Sequence, residues 1–309
     1  MLYLIIVLCM GLFIPLQTAA NARLRQAVGP VYITTFISFA VSTLSLIAVS
    51  LMSGTNVLPT VEILQSSPLW VWTGGIIALL TITCAIYLFR EIGQLQGMLI
   101  PMFSQLLFSL CIDHFGWFGS TVIPFDLKRA AGAAMLIAGI TLVVVLPVKR
   151  KKSEDSGTNV IRKLFWQFCA IVSGCLMASI GAIYARLGSI TGSAIQASTI
   201  SFIIATAVIF IYCVIAGKLI SIKKAFSRKY PWWMWIGGIA GATTVFGNAW
   251  LIPKIGVGVF VMALLVGQLL LSLLMERNGW LGAPKKAITI RQIGGIAIML
   301  AGVALIRIG

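Results

Sequence analysis

The sequence predicts an all-α polytopic membrane protein: ten transmembrane helices arranged as two inverted five-helix repeats. Three observations predict it. Of 309 residues, 60% are hydrophobic and only 10% are charged, with a mean hydropathy of +1.04, whereas about a quarter of a soluble domain is charged. Apolar runs of about 20 residues, long enough to cross a bilayer as helices, recur along the whole chain. The second half repeats the first at an offset of 163 residues.

The ten runs are 1–22, 28–52, 68–89, 92–112, 128–147, 164–186, 191–217, 232–252, 255–275 and 289–308. None alternates with period two, and backbone polar groups cannot stay unpaired in hydrocarbon, so each reads as a helix. The first run ends in "QTAANA", which has the look of a signal-peptidase site. It carries no Lys or Arg, whereas a secretory signal opens with positive charge. Its counterpart at 164–185 has no reason to be cleaved, so it reads as a retained helix. The third and eighth runs start at Pro68 and after Pro231 with Trp70, Trp72, Trp232 and Trp235, placed as interfacial anchors. The fourth carries Gly93 and Gly97, and the eighth Gly237 and Gly241, at the spacing that lets helices approach closely. Pro101 in the fourth run removes a backbone donor and should bend that helix as a hinge. The one clear linker is "KRKKSEDSGTN", Lys149 to Asn159. The chain therefore divides into a first five-helix repeat, 1–147, a basic cytoplasmic loop, 148–163, and a second, inverted five-helix repeat, 164–309.

Laid over residues 164–309 without a gap, residues 1–146 match at 34 positions, or 23%. Such a composition gives roughly 8% by chance. The matches gather at polar, glycine and tryptophan positions. Arg23-Leu24 falls on Arg186-Leu187, Gly74-Gly75-Ile76 on Gly237-Gly238-Ile239, and Gln105, Gly116 and Trp117 on Gln268, Gly279 and Trp280. Five crossings return a chain to the opposite face, so the second copy enters upside down, the plan of many secondary transporters.

The charges follow that plan. Loops after odd-numbered spans hold 18 of the 23 Lys and Arg residues, and the other face holds 5: Lys128, Arg129, Arg186, Lys254 and Arg307. Basic loops stay in the cytoplasm, so both termini are expected outside in a multi-pass inner membrane protein. The net charge of +16 is thus topological, and favours anionic lipid headgroups over nucleic acid. The Lys and Arg residues of 218–229 align with the nearly uncharged 53–67, as a copy retuned to its new side would show.

The segment "PLQTAANARLRQAVGPVYITTFISFA" and the two "Q-L-L-x-S-L…G-W-x-G" blocks resemble the YdcZ-like family of the drug/metabolite transporter superfamily, in its fused two-repeat form. The resemblance implies a ten-helix inner-membrane transporter that exports small molecules. Gln17 is replaced by Ile180 and Asn21 by Tyr184 in the second half, so a pocket built on them would be lopsided. The acid of the helix-4 block is kept, as Asp113 and Glu276.

No enzyme constellation is present. The seven acids lie in loops or at span edges, the single His114 sits beside Asp113, and no glycine-rich phosphate cradle occurs. No cofactor or metal is called for, and the six cysteines read as small packing residues. Polar residues inside spans are costly and face the bundle interior. Gln105 lies about 12 Å deeper than Asp113 along its helix, with Gln268 in the mirrored place before Glu276. Both read as substrate ligands or as interhelical glue. Gln17 and Asn21, four apart, share one helix face. Gln196 with Ser201, and Asn248 with Trp250, are further candidates, and Ser38 can satisfy its hydroxyl within its own helix. Asp113 and Glu276 are candidates for ion coupling. With no acid at mid-membrane, a neutral or zwitterionic metabolite fits better than a permanent cation.

These readings converge on a secondary transporter of a small polar or amphipathic metabolite, working by alternating access between two inverted repeats. Its partners are that small molecule and the bilayer, and fused halves permit a working monomer as well as a homodimer. A non-transporting scaffold or partner subunit, and a lipid-moving protein, stand as alternatives.

Overall fold

The computed structural model describes residues 2–144, 160–217, 230–283, 285 and 287–308. Every regular element among them is helical: α1 (Leu2–Gly11), α2 (Phe13–Val28), α3 (Val31–Met52), α4 (Val61–Ser66), α5 (Gly74–Glu91), α6 (Gly93–Phe115), α7 (Leu127–Val144), α8 (Val160–Thr191), α9 (Ala194–Ile215), α10 (Ile236–Ile255), α11 (Val257–Asn278) and α12 (Ile290–Ile308), with short 3-10 turns at the Trp clusters and after α6 and α11. Seven helical stretches are long and apolar enough to cross a bilayer, α1 and α2 counting together. α5 and α12 hold shorter apolar stretches.

Three features depart from the sequence reading. The first run is broken at Leu12 into α1 and α2. The cause is Pro15, which lacks the N–H that would bond the carbonyl of Gly11 and whose ring crowds it. The loop 53–67 contains a helix, α4, capped by the Thr60 hydroxyl accepting from the Ile63 N–H at 3.4 Å. α8 starts at Val160, inside the stretch read as loop, and its 32 residues span about 48 Å. The linker 149–159 and the basic loop 218–229 lie outside the described residues.

The repeat is visible in the backbone. Ten glycines have positive φ, and they form five pairs 163 residues apart: Gly29 and Gly192, Gly54 and Gly217, Gly93 and Gly256, Gly116 and Gly279, Gly119 and Gly282. The two non-glycine residues with positive φ, Phe118 and Leu281, are equally spaced. Each helix also packs across the halves as its equivalent does. Gly11 of α1 lies against Leu264 and Gly267 of α11, and Gly174 of α8 lies against Pro101 and Ser104 of α6. Gly74 and Gly75 seat α5 on Tyr184 and Ser201, while Gly237 and Gly238 seat α10 on Asn21 and Ser38. Every one of these contacts maps onto its partner contact by the same offset.

Two helix pairs meet their own equivalents, running antiparallel. As α3 advances through Tyr32, Phe36, Thr43 and Ser50, it faces Tyr212, Phe210, Thr206 and Thr199 of α9 in descending order. In α7 and α12, Gly132 meets Gly302 and Gly139 meets Gly295 so closely that a methyl on any of them would strike the facing carbonyl. α11 is the innermost helix. Apolar on every side, it is buried from Val257 to Gly267 without interruption, as such a helix must be.

Candidate functional site

A cavity of about 240 Å³ opens at the seam of the two halves, lined from α2, α3, α5, α6, α8, α9, α10 and α11. Gln17, Gln105, Gln268 and Asn248 all line it. Among the described residues, no protein group hydrogen-bonds the side-chain amides of Gln17, Gln105 or Gln268. Asn248 donates from Nδ2 to the Thr244 carbonyl of its own helix at 3.0 Å. Interhelical glue would be bonded to a neighbouring helix, and no such bond is present for Gln105 or Gln268 among the described residues. Phe39 and Phe202 meet edge-to-face at 5.3 Å and supply aromatic wall. Among the described residues, no charged side chain lines the cavity.

Sequence reasoning missed three contributors. Tyr184 is the repeat equivalent of Asn21, and Thr81 and Thr244 are identical across the halves; all three line the cavity. The Thr pair carried the same recurrence signal as Gln105 and Gln268, obscured because a threonine hydroxyl readily bonds its own helix, as Thr81 does to the Ala78 carbonyl and Thr244 to that of Ala240.

Three expectations are corrected. Asn21 does not line the cavity. Its Oδ1 is buried without a partner, pressed against Gly237, while Gln17 lies against Gly241. The Gly237–Gly241 stripe is what lets this face of α2 approach α10. Gln196 also lies off the cavity: its Nε2 donates to the Leu58 carbonyl at 2.8 Å, tying α9 to the loop before α4. Ser38 Oγ is buried with no partner, whereas the Ser42 hydroxyl lies within bonding distance of the carbonyls of Ser38 (3.0 Å) and Gly238 (2.6 Å). Ser201 does line the cavity and donates to the Ala197 carbonyl at 2.8 Å.

Asp113 and Glu276 also lie away from the cavity. Asp113 is fully buried at the end of α6. Its Oδ1 accepts from the Val257 N–H at 2.7 Å and its Oδ2 from the Gly258 N–H at 2.9 Å. The Arg129 guanidinium, also buried, donates to Oδ2 at 3.3 Å. The carboxylate thus satisfies the first free amides of α11, where an anion is favoured. His114 Nδ1 accepts from the Phe125 N–H at 3.1 Å, a loop tie. Pro101 sits within α6, which runs through it as a single helix; its carbonyl lies against Gly174.

The cavity is not equally covered at both ends. α10 packs against α2, α3, α8 and α9, but its equivalent, α5, packs against α6, α8 and α9 and has no substantial contact with α2 or α3 among the described residues. At the Asp113 end, Gly181 and Gly188 of α8 bring in Asn248, Ile252 and Ala249 of α10. At the other end, no comparable contact between α2 and the end of α5 is present among the described residues.

No curated protein matches the chain. It aligns with a solved structure described only as "Crystal structure of protein", at a TM-score of 0.66 and 16% identity over 99% of this chain and 96% of that one, a likeness of fold. The family model described as "Putative inner membrane exporter, YdcZ" matches over residues 2–142 and again over residues 165–305, the same offset as the internal repeat. Matched once in each half, this multi-pass membrane protein belongs to the YdcZ family.

Proposed function

We propose that the protein is a secondary transporter that exports a small, uncharged, polar or amphipathic metabolite. It works by alternating access between two five-helix halves, 1–147 and 164–309, inverted relative to each other. The observation that carries this reading is the set of three amides, Gln17, Gln105 and Gln268, that face one central cavity without protein partners. None of these amides is committed to a protein partner, so a ligand bearing both donors and acceptors can bond them without breaking a protein hydrogen bond. A lining without charge, next to aromatic walls, favours a neutral ligand with an apolar body over a zwitterion.

The antiparallel meeting of α3 with α9 and of α7 with α12, each against its own equivalent, supports inversion: a two-fold axis that crosses both pairs must lie across the helices, in the membrane plane. The 18 to 5 division of basic residues supports termini on the outside. In that frame the Asp113 end faces outward and is closed, while the cavity opens toward the cytoplasm, the side on which an exporter loads.

The test is a comparison of metabolites released by cells with and without the gene, followed by assay of Gln105→Ala and Gln268→Ala on the metabolite found. Loss of release with unchanged membrane abundance supports the reading. Full activity in both variants removes the amide site.

A further inference from the structure

We infer that the Asp113 end of the molecule carries a second binding site, separate from the central cavity, for an oxyanion group: a phosphate or a carboxylate. Arg129 is its anchor and Lys254 its second cation. The inference does not depend on the transport reading.

The site is a groove of about 430 Å³ between the segment that joins α6 to α7 and the ends of α10, α11 and α12. Thr121, Asp126, Arg129, Lys254, Val259 and Ile306 all line it, and it shares no lining residue with the central cavity. Arg129 is only 7% exposed. Its Nη1 donates to Asp113 Oδ2 at 3.3 Å, the one hydrogen bond of its guanidinium among the described residues. That contact is longer than the about 2.7–2.9 Å usual between charged groups. A guanidinium carries five N–H donors, so Nε and Nη2 are left to face the groove that Arg129 lines. Such a buried, half-used fork matches the two oxygens of a carboxylate or phosphate.

The charges around it favour an anion. Loops after even-numbered spans hold only five of the 23 Lys and Arg residues. Two of the five, Arg129 and Lys254, line this groove. A third, Arg186, lines a smaller cavity of about 70 Å³ that shares Thr121, Pro253 and Gly256 with it. The Lys254 ammonium lies 4.5 Å from the Trp250 ring centre and 5.0 Å from that of Tyr3. It has no carboxylate partner among the described residues. Of the two nearby acids, Asp113 is fully buried and does not line the groove. Its charge is met by the Val257 and Gly258 amides and by Arg129. Asp126 does line it, but its Oδ1 accepts the Arg129 backbone N–H at 2.8 Å, at the start of α7, where the helix dipole offsets a negative charge. Two cations against one carboxylate leave the lining net positive. The remaining wall, with Ile123, Ile255, Val259 and Ile306, is apolar, so an oxyanion on an apolar body fits as well as a small one. Two sources can supply that chemistry: the phosphate of a lipid headgroup, or a soluble anion.

Melting temperatures of the full chain, stripped of lipid in maltoside micelles, test the site. One arm replaces chloride with inorganic phosphate or acetate at constant ionic strength. The other adds phosphatidylglycerol, with diacylglycerol as the control for its chains. A saturable rise in the first arm alone identifies a soluble anion, and one in the second alone identifies a headgroup. The midpoint of the rise is expected to weaken about tenfold in Lys254→Gln and further in Arg129→Gln. Arg129→Lys, which keeps the charge and loses the fork, is expected to fall between wild type and Arg129→Gln. Asp126→Asn keeps a capping side chain and removes the one lining carboxylate, so it is expected to tighten the midpoint about threefold. Arg25→Gln, an exposed cation outside the groove, is expected to change nothing. Lys254 and Asp126 are exposed, so they decide the matter even if Arg129→Gln does not fold. No saturable rise in either arm, or a midpoint that Lys254→Gln or Asp126→Asn leaves unchanged, overturns the site. So does an Arg25→Gln effect as large as that of Lys254→Gln.

Discussion

Thr43 and Thr206 share a hydrogen bond of 2.9 Å between α3 and α9, and each is the other's equivalent in the repeat. A residue can touch its own copy only where the symmetry axis passes. Phe39 and Phe202, also equivalents, meet one turn away. Around these pairs the helices run antiparallel, the arrangement expected if the two halves are inverted relative to each other.

Inversion has a direct consequence for labelling. Gln26 and Ser189 are equivalent positions, both exposed and both just beyond the matched Arg-Leu pairs. In a parallel duplication they would share a face. In the inverted arrangement a cysteine at Ser189 reacts with a membrane-impermeant maleimide on intact cells, and one at Gln26 does so only after the membrane is opened. Equal reactivity of the two before lysis defeats the inverted reading.

The cavity amides separate from the buried one. Gln105→Ala and Gln268→Ala are expected to lower transport at least tenfold, with thermal stability within about 1 kcal/mol of wild type, because neither amide bonds to protein. Asn21→Ala is expected to leave transport nearly intact, since it removes an amide that lies off the cavity and whose oxygen is buried without a partner. Release assays beside melting curves in detergent decide between the two outcomes. An Asn21→Ala variant as inactive as Gln105→Ala would return Asn21 to the site.

How these two classes divide shows what a sequence can and cannot carry. The spacing of Gln17 and Asn21 put both on one helix face, and they are on one face. Four residues are also about 6 Å along the axis, enough for Gln17 to reach the cavity while Asn21 slides under Gly237. Where the cavity ends along the helix depends on which helices cross, and no periodicity encodes that. Gln196 was unreadable for a similar reason: its partner is the Leu58 carbonyl, in the loop before α4, 138 residues away in sequence. The repeat, by contrast, was legible to the residue, because its glycines serve backbone shapes and close approaches that recur in both copies. The break at Leu12 left only a small mark, Pro15 four residues beyond Gly11, which the unbroken apolar run 1–22 outweighed.

Close packing across the seam gives a prediction about glycine alone. A Cβ on Gly174 would strike the Pro101 carbonyl and lie 2.7 Å from Ser104 Cβ and 2.9 Å from the Gln105 nitrogen; the Pro101 and Gln105 atoms are backbone and cannot yield cheaply. Gly174→Ala should therefore push α8 from α6, destabilise by about 1–3 kcal/mol as overpacking does, and displace Gln105. Gly294→Ala, on α12 where a Cβ meets nothing within 4 Å, should be neutral or slightly stabilising. Melting temperatures of the two variants check this, and a silent Gly174→Ala contradicts the close crossing.

Gly93 and Gly256 allow the environment of a helix start to be isolated from its conformation. Their φ angles are 80° and 84°, which an L side chain rarely adopts, so alanine at either carries a backbone strain of about 1–3 kcal/mol. Around Gly93 there is open space, whereas a Cβ on Gly256 would lie 2.7 Å from Ile123 Cδ1 and 2.9 Å from Asp113 Oδ2. Gly256→Ala must then either push the carboxylate off the α11 amides or shift α11 itself, adding about 1–3 kcal/mol. The expected result is a melting temperature clearly lower for Gly256→Ala than for Gly93→Ala. Adding Asp113→Asn should narrow the gap, since the group being displaced has already lost its charge. Equal melting temperatures for the two single variants would mean that Asp113 does not grip the start of α11 as closely as its two short hydrogen bonds require.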